Sequence, residues 1–337
     1  MASDARVVVG GGFSALAYLA QLSAEERSAL TWIRGPEGLS AIGSGAIEIF
    51  EPLEAHAGLT SRRAFYEASQ MGLPTLPSWD EAQASWLAAL NSLGRILGWS
   101  QIDSLESFQW MPYEDGTLIP ITGEWLRGAS LSTFTEIPVL FPPDETETAR
   151  LVDGWNFDAE RLGLSQRWQH VTWPKEIPFQ AEHFIAACRD LARGAGILAL
   201  MKLPIGLSWF EVRDALSAAQ IELMPVAGVG GRGIAYEALE RLRAALAPEV
   251  KEHRRARVSE ISAQDTDYTL TLPNETVTAT HLVLALGRGQ GLWPHHLPSD
   301  GPRQPTMVGS MGEPQSLLSR GIVDAHRLAL QKVEAAK

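Results

Sequence analysis

The chain has 337 residues, of which 45% are hydrophobic and 20% charged, and its formal net charge is −12. This length and composition predict a globular protein with one complex domain or two interleaved domains, and the acidic balance argues against nucleic acid or an anionic membrane as the main partner. The single cysteine, Cys188, excludes an internal disulfide and any iron–sulfur or thiolate metal cluster held by this chain alone.

The apolar stretches do not predict a membrane span. Only three valines, at 7–9, precede the first glycines, which is too short for the apolar region of a signal peptide. The most apolar stretch, 194–210, is interrupted by Lys202 and Pro204. Together with the single cysteine, these features favour a reducing, cytoplasmic location.

The N-terminal segment predicts a strand, a glycine turn, a helix and a second strand. Residues 6–9 are a short apolar run typical of a buried strand, 13–22 are helix-like, and 30–34 form another apolar strand. Because a strand–helix–strand unit pairs its strands in parallel, this segment predicts the start of an α/β fold.

The middle of the chain is rich in proline, tryptophan and polar residues. Apolar residues at spacings of three and four predict helices at 79–98, 179–193 and 234–247. The acidic stretch 142–151 predicts an exposed loop that leads into a helix.

The periodicity changes to two after residue 256. Alternating apolar and polar residues predict strands separated by a hairpin turn at Pro273 and Asn274. The continuous apolar run 282–287 predicts a strand buried on both faces, which would rejoin the parallel sheet that begins at residue 6.

The glycine turn matches a phosphate-binding pattern. Gly10-Gly11-Gly12-Phe13-Ser14-Ala15 fits G-x-G-x-x-A between a predicted strand and a predicted helix. Gly10 permits the tight turn, Gly12 lets the backbone approach a phosphate, and Ala15 permits close helix packing, while the N–H groups and dipole of the helix favour an anion. A plain glycine-rich turn is the alternative, and the later hairpin and strand favour the nucleotide.

Arg34 departs from the usual dinucleotide site. An acidic residue for the ribose hydroxyls is expected about 20 residues past the glycines, whereas the second strand here ends in Ile33 and Arg34. Three interpretations remain: Arg34 contacts the 2′-phosphate of NADP, it pairs with a phosphate of a flavin bound without the ribose contact, or it is a surface arginine.

Seven blocks occur along most of residues 5–291, in the order VVVGGGFSALAYLAQL, WIRG, SGAIEIF, DGTLIPITGEWL, FQAEHFIAACRDLA, LMPVAGVGG and VLALGRGQG. Together they resemble the GlpB-like family, which supplies one of the subunits of anaerobic glycerol-3-phosphate dehydrogenase, and the resemblance includes blocks outside the glycine turn. It implies an α/β, two-dinucleotide-binding-domain flavoprotein with a Rossmann-like, glutathione-reductase-type FAD/NAD(P)-binding fold. The expected bounds are 1–50 plus 232–337 for the flavin-binding domain and 51–231 for an inserted substrate-like or interaction domain.

The resemblance also implies a cofactor, partners and a site. Family members carry a flavin, usually FMN with FAD as the alternative, and work beside a catalytic FAD subunit and an iron–sulfur subunit that passes electrons to quinone. Attachment to the inner face of the membrane would come through a partner. The cofactor-binding residues expected by position are Gly10, Gly12, Phe13, Ser14, Arg34, Ser44, Gly45, Val258, Gly287, Gly309 and Ser310.

Some of these positions have plainer interpretations. Ser44 and Gly45 would lie near the flavin ring or cap a loop. Gly309, and Gly321 before the last predicted helix, would lie near the cofactor or break secondary structure.

The chain departs from the family between 288 and 306. Family members hold a longer insertion there. The main hypothesis is an oxidoreductase subunit that oxidises an alcohol, which is glycerol 3-phosphate by resemblance. Because of the missing insertion, the competing hypothesis is a scaffold or interaction subunit that kept the fold. An NADP-dependent reductase using Arg34 is a third hypothesis. No Ser, His and Asp grouping resembles a nucleophile motif, which disfavours a hydrolase.

Catalytic residues are not identified by the sequence. A flavin supplies the redox chemistry, so the protein needs a base and cations for a substrate phosphate. His183 and Arg232 are the candidates for these roles. The alternative interpretation is that they are an ordinary helix histidine and an ordinary turn arginine. His295 and His296 lack a companion at metal-ligand spacing, so no metal is assigned. Four tryptophans of the middle region would shield a flavin, form an interface or pack in the core, namely Trp110, Trp125, Trp155 and Trp173.

Overall fold

A computed structural model describes most of the chain, and it has two compact units. The described residues are 5–35, 46–47, 78–99, 101–102, 104, 109–121, 123–124, 126, 134–142, 145–173, 180–263, 267–285 and 306–307. The first unit contains residues 1–41, 72–104 and 239–337, and the second contains 42–71 and 105–238. The domain bounds expected from the sequence stay a prediction.

Among the described elements, strands and helices alternate in the middle of the chain, whereas the last six strands follow one another. The strands are β1 (Arg6–Val9), β2 (Leu30–Arg34), β3 (Ala46–Ile47), β4 (Gln109–Pro112), β5 (Leu118–Ile121), β6 (Gly123–Glu124), β7 (Glu136–Phe141), β8 (Arg167–Thr172), β9 (Ile197–Leu200), β10 (Glu222–Pro225), β11 (Glu252–Arg255), β12 (Glu260–Ala263), β13 (Tyr268–Thr271), β14 (Thr276–Ala279), β15 (His281–Leu284) and β16 (Thr306–Met307). The helices are α1 (Phe13–Gln21), α2 (Ala24–Ser28), α3 (Trp79–Leu97), α4 (Thr148–Arg161), α5 (Ala181–Leu191), α6 (Trp209–Ser217) and α7 (Val229–Leu246).

The first unit contains a five-stranded parallel sheet in the order β11-β2-β1-β15-β16. Val8 of β1 pairs with Trp32 of β2 on one side and with Val283 of β15 on the other. β16 pairs in parallel with β15. The predicted N-terminal unit and the return of the chain to its sheet are therefore confirmed.

A three-stranded antiparallel sheet, β12-β13-β14, packs on one face of that parallel sheet. Strand alternation directs Val7 and Val9 to this face. They join a cluster of buried residues that includes Ile33, Ile261, Tyr268, Leu270, Leu272, Ala279, Leu282 and Leu284. The predicted period-two strands are confirmed, with Pro273 and Asn274 between β13 and β14.

The second unit contains a four-stranded parallel sheet in the order β10-β9-β7-β8. Its strands alternate along the chain with α4, α5 and α6. The sequence analysis did not predict this sheet, because β7 and β9 are short apolar runs that resemble helix segments among prolines and glycines. The described part of the chain is thus a mixed α/β structure with two parallel sheets.

The predicted helices are present, with one change of bounds. α3 and α5 match the predicted ranges within two residues, and the acidic stretch leads into α4. α7 begins at Val229, five residues before the predicted start. The prediction began later because the first turn contains glycines, whose low helix propensity argues against a helix. Within the described residues, no helix combines the length and apolar character that a membrane crossing needs.

Candidate functional site

The glycine turn lies where the strand order of the five-stranded sheet reverses. From β1 the chain proceeds outward through β2 to β11, and then returns to the other side of β1 as β15. Ligands of open parallel sheets bind at the carboxyl ends of the strands at such a reversal. The turn that follows β1 therefore occupies the favoured position for a ligand in this sheet.

Gly10 is required by the backbone of this turn. Its φ of +138° is disfavoured for other residues, and a Cβ there would clash with the carbonyl oxygen of Ala285, just after β15. The N–H of Gly10 donates to the carbonyl of Ile33 at 2.9 Å, and the N–H of Ala285 donates to that of Val9 at 2.7 Å. Three neighbouring strands thus fix the turn.

Among the described residues, no side chain of its own first turn or cap compensates the N-terminal end of helix α1. Its cap residue, Gly12, offers no side-chain hydrogen bond, and its first turn contains no acidic residue. In contrast, α2 and α3 have capping boxes made by Ser23 and Ser78 with a glutamate. The N–H groups and positive dipole end of α1 therefore suit an anion such as a phosphate.

Arg243 of α7 holds the carbonyl of the middle glycine. Its Nε donates to the oxygen of Gly11 at 3.0 Å and its Nη2 donates to the same oxygen at 2.5 Å. Its Nη1 pairs with the carboxylate of Glu240 at 2.5 Å. Because only 6% of Arg243 is exposed, this cation is built into the base of the turn.

Arg34 also lies beside Gly11. A Cβ at Gly11 would stand 3.0 Å from the Cβ of Arg34, so the two residues are in close contact. Arg34 is 8% exposed, and the interpretation as a surface arginine is therefore wrong. Two buried cationic side chains flank the glycine turn in a chain whose net charge is negative.

His253 of β11 accepts a hydrogen bond from Arg34. The Nε of Arg34 donates to the Nε2 of His253 at 3.1 Å, and the imidazole packs on Trp32 with ring centroids 4.7 Å apart. Burial lowers the pKa of His253, and the positive charges of Arg34 and then Arg255 lower it further. The neutral imidazole therefore accepts the hydrogen bond that orients Arg34.

Trp32 links this cluster to the turn. Its Nε1 donates to the carbonyl of Gly10 at 2.7 Å, while its ring is fully buried in β2. The carbonyls of Gly10 and Gly11 are thus both held by buried side chains. The carbonyl side of the turn is fixed before any ligand binds.

The structure brings five of the predicted cofactor residues together, and they are Gly10, Gly12, Phe13, Ser14 and Arg34. Val258 is half-buried and packs against the cluster beneath the antiparallel sheet, so its cofactor role stays a prediction. The positions Ser44, Gly45, Gly287, Gly309, Ser310 and Gly321 lie outside the described residues.

The catalytic candidates both belong to the second unit. His183 is exposed on α5, with its backbone N–H bonded to Gln180. Arg232 lies in the first turns of α7, and its side chain is outside the described part. Both assignments stay predictions. Among the described residues, no group of histidines, cysteines and carboxylates is arranged to hold a metal ion.

The tryptophans of the middle region have different surroundings. Trp155 is fully buried in the core of the second unit, and Trp110 packs against the same cluster. Trp173 contacts Phe184 with ring centroids 5.0 Å apart. Trp125 lies outside the described residues.

Sequence reasoning missed Arg243, although a signal was present. Leu239, Leu242 and Leu246 mark the buried face of α7, and Arg243 lies one turn after Leu239 and one turn before Leu246. A charged residue on an apolar helix face needs a buried partner. Its partner, the carbonyl of Gly11, could not be read from the sequence.

Comparison with known proteins leaves the family open. No family model matches the chain, and no curated protein matches it. Solved structures that resemble it include glycine oxidase from Geobacillus kaustophilus, at 14% identity, 84% of this chain, 55% of that chain and a TM-score of 0.29. Cyclohexylamine oxidase from Brevibacterium oxydans IH-35A shows 13% identity, coverage of 84% and 57%, and a TM-score of 0.24.

A fatty acid isomerase from P. acnes shows 12% identity, coverage of 84% and 58%, and a TM-score of 0.26. The chain therefore spans less than two thirds of the length of these three structures. TM-scores this low give no independent support to a function.

Proposed function

We propose that the chain is a flavin-binding subunit of an oxidoreductase. The observation that carries the proposal is the glycine turn at the reversal of the parallel sheet, which opens an uncapped helix and has two buried arginines beside it. The N–H groups, the helix dipole and the guanidinium of Arg34 together match the donors that a nucleotide phosphate requires, while Arg243 holds the Gly11 carbonyl from the other side. The residues of the turn therefore fit the phosphate of a flavin nucleotide.

FMN is the form that we propose, with FAD as its alternative. An FAD site would place an acidic residue near the end of β2 for the ribose hydroxyls, and Arg34 stands there instead. A guanidinium cannot accept a hydrogen bond from a hydroxyl, whereas it binds the terminal phosphate of a mononucleotide well. The hydrogen bond to His253 keeps Arg34 beside the turn.

In this proposal the protein binds and orients the flavin and the substrate, and a bound flavin supplies the electron-transfer chemistry. The N–H groups of Gly12, Phe13 and Ser14 would hold the phosphate at the start of α1. Arg34 would neutralise its charge from the end of β2. His183 and Arg232 are proposed as a base and a substrate anion contact.

Resemblance to the GlpB-like family of anaerobic glycerol-3-phosphate dehydrogenase extends the proposal. It suggests oxidation of an alcohol, glycerol 3-phosphate, with electrons passed to an iron–sulfur subunit and then to quinone. A catalytic FAD subunit would be the second partner. Co-purification of the chain from its native host tests these partners, since the proposal requires an iron-containing polypeptide in the same complex.

The cofactor is tested by the absorbance spectrum of the purified protein between 300 and 550 nm. Flavin bands, with FMN released by heat and identified by chromatography, are the expected result. FAD would contradict the role assigned to Arg34 in choosing the flavin. A protein that stays colourless after incubation with excess FMN and FAD would overturn the proposal.

Arg34 also favours one alternative, an NADP-dependent reductase. Arg34 is buried beside Gly11 at the end of β2, and a cation near that position supports contact with a 2′-phosphate. Equilibrium titrations with NADPH and NADH decide this, because only NADPH would bind tightly. The competing scaffold hypothesis, suggested by the departure at 288–306, requires that neither flavin nor nicotinamide binds while the complex still assembles.

A further inference from the structure

We infer that Arg243 is a positioning residue that aims the N–H of Gly12 at the ligand phosphate. The inference rests on the proposed function, in which the glycine turn binds a nucleotide phosphate. It adds a residue 231 positions after Gly12 that contacts the turn from behind and has no place in the glycine pattern itself.

Peptide planarity connects Arg243 to Gly12. The carbonyl of Gly11 and the N–H of Gly12 belong to one trans peptide group, so they point in opposite directions. Two hydrogen bonds from Arg243 fix the direction of the carbonyl. They therefore fix the N–H of Gly12 on the side away from Arg243, at the uncapped start of α1.

The turn needs this restraint because glycine peptides rotate readily. Gly10, Gly11 and Gly12 lack side chains that would limit rotation of the peptide between Gly11 and Gly12. Without Arg243, this peptide could present its carbonyl oxygen toward the phosphate, where it would repel the anion. A preorganised donor loses less free energy on binding than one that must first be ordered.

The surroundings of Arg243 hold it in the required geometry. The side chain is 7% exposed, and its third nitrogen, Nη1, is anchored to Glu240 one turn earlier in α7. A forked guanidinium can bond one carbonyl through Nε and Nη2 while Nη1 binds the carboxylate. Lysine cannot make this arrangement, so the fork itself matters as well as the charge.

The test compares binding of FMN and riboflavin, which share the ring system and differ in the phosphate. Affinities are measured by flavin fluorescence titration for the wild-type chain and for Arg243→Met, Arg243→Lys and Arg241→Met. Arg241 is an exposed residue of the same helix, so its variant is the matched control for loss of a positive charge. Thermal unfolding without ligand shows whether each variant is folded.

Arg243→Met should weaken FMN binding by about 10- to 100-fold, the range for loss of a charge-assisted interaction. Riboflavin binding should stay within about twofold of wild type, as should both affinities of Arg241→Met. Arg243→Lys should recover only part of the loss, because it keeps the charge without the fork. An equal decrease for FMN and riboflavin, or an unchanged ratio in Arg243→Met, overturns the inference.

Pyrophosphate separates this inference from the proposed function. If the wild-type chain binds neither flavin, the proposed function is overturned, and the melting temperature with and without millimolar pyrophosphate then decides the role of Arg243. An increase in wild type that Arg243→Met abolishes supports the positioning role. No increase in wild type, or the same increase in the variant, overturns it.

Discussion

Two turns in this protein use the same backbone device after a parallel strand, and their surroundings carry opposite charge. In the first unit, Gly10 follows β1 with a φ of +138° and α1 begins three residues later. In the second unit, Gly228 follows β10 with a φ of +124° and α7 begins at the next residue. Neither helix has an acidic residue in its own first turn.

The second turn is already occupied by a carboxylate of the same unit. A Cβ at Gly228 would clash with the carboxyl group of Glu114, which therefore lies against the start of α7. The N–H of Glu114 donates to the carbonyl of Ala227 at 3.0 Å. Glu114 lies in the hairpin that joins β4 and β5, and its carboxylate compensates the positive end of the α7 dipole. The turn at Gly10 is instead approached by arginine side chains.

The two turns also differ in their place in the sheet. The first follows β1, beside the reversal of strand order, and the second follows β10, at the end of its four-stranded order. In the second sheet the reversal falls between β7 and β9 instead. A strand, a glycine and a helix thus form a candidate anion site only where position and charge agree.

The hairpin that carries Glu114 is held firmly. The Nε1 of Trp155 donates to the carbonyl of Tyr113 at 2.8 Å, and the carboxylate of Asp158 accepts from the N–H of Leu118 at 3.0 Å. Gly154 is needed because a Cβ there would clash with the carbonyl oxygen of Gly116. Helix α4 therefore fixes the position of the carboxylate that fills the second turn.

The largest effect is expected from Gly10→Ala. A positive φ and a clash with a backbone carbonyl should together cost on the order of 3 kcal/mol or more of the free energy of unfolding. Urea unfolding followed by circular dichroism measures it. Gly35→Ala is the matched control, because nothing lies within 4 Å of its added Cβ, and an equal loss in both variants would contradict the role of Ala285.

A smaller effect is expected at the second turn from Gly228→Ala, about 2 kcal/mol from φ strain and the clash with Glu114. The clash is with the side chain of Glu114, and removing that side chain relieves it. Gly228→Ala should therefore cost about 1 kcal/mol less in a Glu114→Ala background. A double-mutant cycle from urea unfolding gives this coupling. Additive losses would show that Glu114 does not fill the second turn.

Glu237→Gln tests whether a carboxylate also compensates the start of α6 in the second unit. The carboxylate of Glu237 accepts from the hydroxyl of Ser208 at 2.8 Å and from the N–H of Trp209 at 3.2 Å, so it also compensates a helix start in the second unit. Loss of the charge should lower the free energy of unfolding by about 1 kcal/mol. Glu222→Gln, at an exposed position, should change it by less than about 0.5 kcal/mol. Equal effects would count against the capping role.

The smallest effect concerns the pH dependence contributed by His253. Its folded-state pKa is lowered below 6.5, so the unfolded chain binds the proton more readily, and stability should decrease as pH falls below about 6.5. His253→Gln keeps an acceptor for Arg34 and should reduce the difference in melting temperature between pH 7.5 and pH 5. The exposed His183→Gln is the control, and the same pH dependence in wild type and His253→Gln would refute this assignment.

Much of the fold could be predicted because short-range patterns carry it. The valines of β1, the apolar run of β15 and the alternation in β12 to β14 report burial directly, so these strands and their sheet were identified. The sheet of β7 to β10 was missed, since its short apolar strands carry no period that separates them from helix segments. The early start of α7 was missed because glycines argue against a helix.

The glycine turn, the strand and helix around it, and the arginine that replaces the usual acidic residue at position 34 are all readable from the amino-acid sequence, because they depend on residues close together in the chain. Which of the two turns faces cations depends instead on long-range packing. Arg243 meets Gly11 across 232 residues and His253 meets Arg34 across 219. Glu114 meets Gly228 in the same way. Such pairings follow from strand order and helix packing, which bring distant residues together without a local pattern that marks them.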